Sequence, residues 1–133
     1  MKENELMIDD WVLVSGNPMQ IQAINDIDGE IMAGDELYCL IEDRVHSEDK
    51  IEPVPLTAEI LEKNGFVGDK QVMQYYFTED GQKYHFSLRQ MYDKDDNPKG
   101  YSFFAFNVLT IIDYVHQLQH ALRLCGIDKE IVL

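Results

Sequence analysis

The chain has 133 residues, 45% of them hydrophobic, and a formal net charge of −14. That is apolar material for a packed interior in one domain or two very small ones, which excludes a disordered tail. Through Leu56 there are 14 Asp+Glu against three Lys+Arg, and beyond it 11 against eight. The acidic first part repels phosphates and anionic headgroups, so direct binding of nucleic acid or membrane through it is not expected, whereas a basic protein partner is compatible with it.

The opening residues Met1-Lys2-Glu3-Asn4-Glu5 are charged and no apolar run of about 18 residues occurs, so neither a signal peptide nor a membrane span is expected and the protein reads as cytoplasmic. Asp10 to Val14 alternates, with Val12 and Val14 on one side and Trp11 and Leu13 on the other; Ser15-Gly16-Asn17-Pro18 then reads as a turn. Met19 to Ile24 answers it with Met19, Ile21 and Ala23 on one face. Asp26-Ile27-Asp28-Gly29 has the chemistry of a tight hairpin, and Glu30 to Met32 returns from it. Leu37 to Ile41 is a further strand and Asp43 to Lys50 a loop. Ile51 to Pro55 is an edge strand or extended connector, because its prolines donate no ladder bond. Four or five short strands within residues 1–56 predict a small, acidic, SH3-like β-barrel.

At Pro55-Leu56-Thr57 the apolar period changes from two to helical, which begins a second part, residues 57–133, either separate or sharing one core with the first. Thr57 is a good N-cap, Leu56 and Leu61 form a hydrophobic staple, and Gly65 closes a helix over Ala58 to Asn64 with Phe66 packing back. From Gln71 a three-stranded antiparallel meander is expected, with Tyr84, Phe86 and Leu88 on one face and Lys83, His85, Ser87 and Arg89 on the other. Its turns are Thr78 to Gly81 and Met91 to Gly100, and Tyr101 to Val108 returns across it. The last element reads as an amphipathic helix from Thr110 to Cys125, with Ile111, Tyr114, Val115, Leu118, Ala121, Leu122 and Cys125 within about 60° of one line. Thr110 with Asp113 resembles a capping box, and Gly126 terminates the helix. The fold class is therefore α+β.

Asp113-x-x-His116-x-x-x-His120 places three possible metal ligands on successive turns. They fall about 160° to 220° from the centre of the apolar stripe, which is the pattern of an exposed polar face. Gln117, Gln119 and His120, with Arg123, make that face a candidate interaction surface, and Tyr75 and Tyr76 offer another. Asp93-Lys94-Asp95-Asp96-Asn97 imitates a calcium loop, but its sixth position is Pro98 and its twelfth Phe104, so it reads as a polar turn. No Gly-rich phosphate loop, nucleophile–base pattern or cofactor motif occurs, and Cys39 and Cys125 read as buried free thiols.

Asp10-Trp11-Val12-Leu13, the stretch Ile51-Glu52-Pro53-Val54-Pro55-Leu56-Thr57-Ala58-Glu59-Ile60-Leu61-Glu62-Lys63-Asn64-Gly65-Phe66, and Tyr114-Val115-His116-Gln117-Leu118-Gln119 resemble a family of short uncharacterised bacterial proteins. Many of these occur in genomes rich in prophage and mobile elements. The resemblance covers most of the chain and implies the architecture and a bacterial cytoplasmic setting; it implies no activity, ligand or catalytic residue. Three functions follow as expectations. The first is a non-enzymatic protein-interaction module. The second is an acidic nucleic-acid mimic that modulates a DNA-binding protein. The third is a small metal-dependent enzyme using His116 and His120. Oligomeric state is not legible.

Overall fold

The structure, a computed structural model, describes residues 6–25, 30–33, 36–39, 51–69, 74–76, 78–79, 82–83, 86–105, 108–127 and 129–133. The chain divides into two compact units, Met1–Val54 and Pro55–Leu133, and is of mixed α and β structure with two five-stranded antiparallel sheets and two helices among the described residues.

In the first unit, β1 (Trp11–Val14) and β2 (Asn17–Asn25) form a hairpin over a two-residue turn. Ser15 and Gly16 both have positive φ, +49° and +84°, the conformation that matches the twist of the flanking strands. The turn is thus shorter than expected and Pro18 lies within β2. Its position is tolerable because Val14 and Asn17 flank the turn as a hydrogen-bonded pair, so Leu13 and Pro18 form the next, non-bonded pair across β1. Pairing with the strand on the other side begins only at Ile21.

That strand is β3 (Glu30–Ala33), followed by β4 (Glu36–Cys39) and β5 (Ile51–Pro53), in the order β4-β3-β2-β1-β5. β5 pairs with β1 at the sheet's edge, where Pro53 is tolerated. The expected Asp26–Gly29 turn and Asp43–Lys50 loop lie outside the described residues. A register shift between Ile21 and Ala23 inserts one extra residue into β2. This corrects the predicted face: Ala23 is exposed and Ile24, opposite Ile31, is half-buried in its stead. Leu6, Val12, Val14, Ile21, Ile31 and Ala33 form the core, with Met19, Ile24 and Ile51 against it. β4 and β5 stand at opposite ends of the sheet, and no closed barrel is formed among the described residues.

In the second unit, α1 (Ala58–Lys63) begins where Thr57 Oγ1 accepts from the Ile60 N–H at 3.3 Å. It ends at Gly65, φ +84°, with the Gly65 N–H on the Glu62 carbonyl and the Phe66 N–H on the Leu61 carbonyl. Leu56, Leu61 and Phe66 are buried, as the staple and the returning phenylalanine require.

The sheet that follows has five strands, where the alternation pattern predicts three. β6 (Val67–Asp69), β7 (Gln74–Tyr76), β10 (Phe86–Tyr92), β11 (Pro98–Ala105) and β12 (Val108–Ile112) run in the order β12-β11-β10-β7-β6. Between β7 and β10 in the chain, β8 (Thr78–Glu79) and β9 (Gln82–Lys83) form a separate two-stranded antiparallel sheet. Leu88 is fully buried and Arg89 exposed, in line with the alternation; Tyr84 and His85 lie outside the described residues, and Lys83 and Phe86 are described only by backbone. Leu88, Tyr101, Phe103 and Ile112 make the inner face.

The last helix is shorter than its periodicity suggests. α2 runs over Val115–Leu124, with Tyr114 as N-cap, and Thr110, Ile111 and Ile112 belong to β12 instead. There they pair with Phe103, Ser102 and Tyr101, so a row of ladder bonds outweighs an extra turn of helix. Ile111 is exposed, not part of a helical core stripe. The Tyr114 side chain supplies no cap, and Thr110 and Asp113 form no capping box. Gln117 reaches back, its Oε1 accepting from the Asp113 N–H at 2.8 Å and the Tyr114 N–H at 3.1 Å. Gly126 terminates α2 as expected, at φ +70°, with the Ile127 N–H on the Leu122 carbonyl.

Candidate interaction surfaces

The starts of the two helices are joined. Pro55 and Tyr114 form an antiparallel bridge, and the Leu56 N–H donates to the Asp113 carbonyl at 3.0 Å. Residues 55–56, before α1, and 113–114, before α2, therefore meet in space. At Gly100, φ +56°, a Cβ would overlap the Asp113 carboxylate, so glycine lets β11 run beneath the turn that leads into α2. Gln90 Nε2 donates to the Gly100 carbonyl at 2.8 Å and holds the same point from the neighbouring strand.

The polar face predicted for α2 is not an exposed face at its first turns. His116 is 4% exposed and Gln119 6%, while Gln117 and His120 are half-buried. His116 lies parallel to the Tyr114 ring at 5.9 Å between centroids and meets the His120 ring edge-on at 5.6 Å. Arg123 is about 20° from His116 around the helix axis, yet it is exposed. Angle is therefore not what separates them. His116 sits in the first turn, two residues after Tyr114, which bridges Pro55, whereas Arg123 is in the last turn. A helical wheel projects height away, which is why it places His116 in solvent.

These positions bear on each predicted site residue. Asp113, exposed, turns its backbone N–H to the Gln117 side chain, and no group of three or more His, Cys, Asp or Glu disposed to hold a metal occurs among the described residues. Gln117 is engaged as the helix cap, and Gln119 is buried, not on an exposed polar face. Tyr75 and Tyr76 are adjacent positions on β7. Position 75 is paired with Leu88 and with Gly68, and position 76 with Val67. The 93–97 turn is closed by its own aspartate. Asp93 Oδ1 accepts from the Asp95 and Asn97 N–H groups, both at 2.9 Å, and these bonds, Asn97 first, hold its carboxyl below the ordinary aspartate range. Cys125 is a half-buried free thiol whose burial pushes its pKa up, which is the opposite of an activated nucleophile.

A feature absent from the sequence prediction lies in the first unit. The turn before β1 carries Met7 and Ile8 in solvent, 46% and 54% exposed, while Leu6 and Asp10 on either side are buried. The pattern Glu5-Leu6-Met7-Ile8-Asp9-Asp10, an apolar triplet between acids, is the signal for it. No helix among the described residues is long and apolar enough to cross a membrane. Compared with protein-family models, with curated proteins and with solved structures, the chain matches none.

Proposed function

We propose that this chain is a non-enzymatic protein-interaction module whose acidic N-terminal unit binds a basic protein, in a bacterial cytoplasmic or mobile-element setting. The observation that carries this reading is the charge asymmetry, 14 acids against three bases through Leu56, concentrated on a unit with its own hydrophobic core. A sheet order in which the fifth strand returns beside the first, with a bulge midway along the long β2, supports an SH3-like barrel for that unit, since such a bulge bends one strand so that it can serve two half-sheets. The burial of His116 and the service of Gln117 as a cap favour a structural role for the His-Gln segment over a metal-dependent enzyme.

Affinity for immobilised lysozyme, a basic protein, against ovalbumin, an acidic one, tests the reading across a salt series. Binding to lysozyme at low salt that weakens steeply toward 0.5 M is expected, about the point where the Debye length falls below 5 Å. Equal retention on both, or indifference to salt, would reject it. The nucleic-acid-mimic reading shares the charge and differs in one outcome: the chain and cognate duplex DNA would then exclude each other on a DNA-binding protein at a salt concentration where capture on lysozyme is already lost.

A further inference from the structure

We propose that Met7 and Ile8 are the apolar anchor of the acidic unit, inserting into an apolar pocket rimmed by lysine and arginine on a basic protein partner. This rests on the reading of the unit as a binder of basic protein. The anchor is built, not frayed. Asp10 is fully buried, its Oδ2 accepts from the Met7 N–H at 2.7 Å, and its own N–H donates to the Met7 carbonyl at 3.1 Å. Asp9 is held in the left-handed region, φ +72°, a conformation that costs a non-glycine residue energy and persists only where its surroundings impose it. Those surroundings are β2: the Asp9 N–H donates to the Ile21 carbonyl at 2.8 Å, the Ile21 N–H to the Asp10 carbonyl at 3.0 Å, and Gln20 Nε2 to the Asp9 carbonyl at 3.1 Å.

A buried carboxylate and a left-handed aspartate thus fix a tip that holds two large apolar side chains half in water. Burying them in the core would have been the stabilising choice for folding alone. A pre-shaped tip has little ordering left to lose on docking. The occupant follows from charge. Along the chain Glu3, Glu5 and Asp9 bracket the pair, and the unit as a whole is strongly negative, so an acidic or phosphate-bearing surface is repelled and a cationic rim is attracted. A cationic rim around an apolar centre has the anatomy of a protein interface, with its buried apolar anchor and polar edge.

The test uses the full chain and three synthetic helical peptides of equal length: a cationic amphipathic Lys/Leu peptide, a cationic Lys/Ser peptide and an anionic amphipathic Glu/Leu peptide. The expected result is Lys/Leu binding at least about tenfold tighter than Lys/Ser and no Glu/Leu binding. Met7→Ser with Ile8→Ser should remove that advantage, whereas Leu124→Ser, at a residue 88% exposed in the other unit, should keep it. Methyl NMR of the wild-type chain should place the peptide's contacts on Met7 and Ile8, whatever the variant's folding. Equal binding of both cationic peptides by wild type and variant overturns the anchor and leaves the acidic reading standing. Binding of neither at low salt overturns both. Glu/Leu binding overturns the cationic rim, and a change of solution mass between wild type and variant shows instead a surface between copies of this chain.

Discussion

α1 and α2 close at their C-termini with the same pair of backbone bonds around a left-handed glycine, Gly65 and Gly126, yet their beginnings are secured by different means. α1 has six residues, one of them buried, and starts on a bond from its own Thr57. α2 has ten, six of them buried, and starts where β12 stops, capped from within by Gln117. A helix of two turns is far too short to persist alone, so α1 depends on its termini and on what clamps them. Asn64 is that clamp. Its Nδ2 donates to the Ile60 and Val132 carbonyls, each at 2.8 Å, and its Oδ1 accepts from the Val132 N–H at 2.7 Å, so one side chain ties the helix end to a segment 68 residues away. Ile127 and Ile131 of that segment are buried, which fixes it by apolar contact as well. The lesson is that a short helix is stabilised at its ends and a longer one along its face.

That contrast is broken most directly in the face of α2. Leu118→Ala, at a residue with no exposure, should lower unfolding free energy by about 3 kcal/mol in urea titration; a loss under about 1 kcal/mol would mean that burial does not seat this helix. Asn64→Ala should cost about 2 kcal/mol, and hydrogen exchange should show the Val132 amide losing protection before the strands do. Unchanged exchange at Val132 would show that the clamp is redundant with Ile127 and Ile131.

The caps sharpen the comparison. Thr57→Ala and Gln117→Ala should each cost about 1 kcal/mol, the first exposing the Ile60 amide and the second those of Asp113 and Tyr114. A larger effect at Gln117 than at Thr57 would place more of α2's stability at its end than its burial suggests.

The smallest effect belongs to Asp93, in the exposed turn between β10 and β11. Its folded pKa is depressed, so its contribution is present above the pKa of an unfolded aspartate and is lost as pH falls through the folded value. Carboxyl NMR should find Asp93 titrating below an ordinary aspartate, and Asp93→Asn should decline less steeply in acid. An ordinary titration would remove the bonds to Asp95 and Asn97 from the account.

Much of the fold was legible because its signals are local. Thr57, Gly65, Gly126 and the Asp93 turn each act within a few residues, and the alternation around Val12, Val14 and Leu88 is a direct imprint of one buried sheet face. The candidate site was less so. The histidine pair was visible, but the burial of His116 was not, since a helical wheel records angle alone and the start of α2 is joined by the distant segment Pro55-Leu56. The Met7-Ile8 tip was likewise hidden, since its exposure depends on the hold of β2 on Asp9 and Asp10.

By itself the sequence determined the α+β class, the acidic first half, the N-cap and C-terminus of α1 and the stop of α2, all consequences of side chains acting on nearby backbone. Only the tertiary structure decided that Thr110 to Ile112 join β12 instead of a helix, that the bulge after Ile21 turns Ala23 outward, and that His116 and Gln119 are buried. In each case the local preference was weak: neighbouring strands supplied ladder bonds that it did not outweigh, or, for His116 and Gln119, packing around the helix decided what an angular pattern does not record.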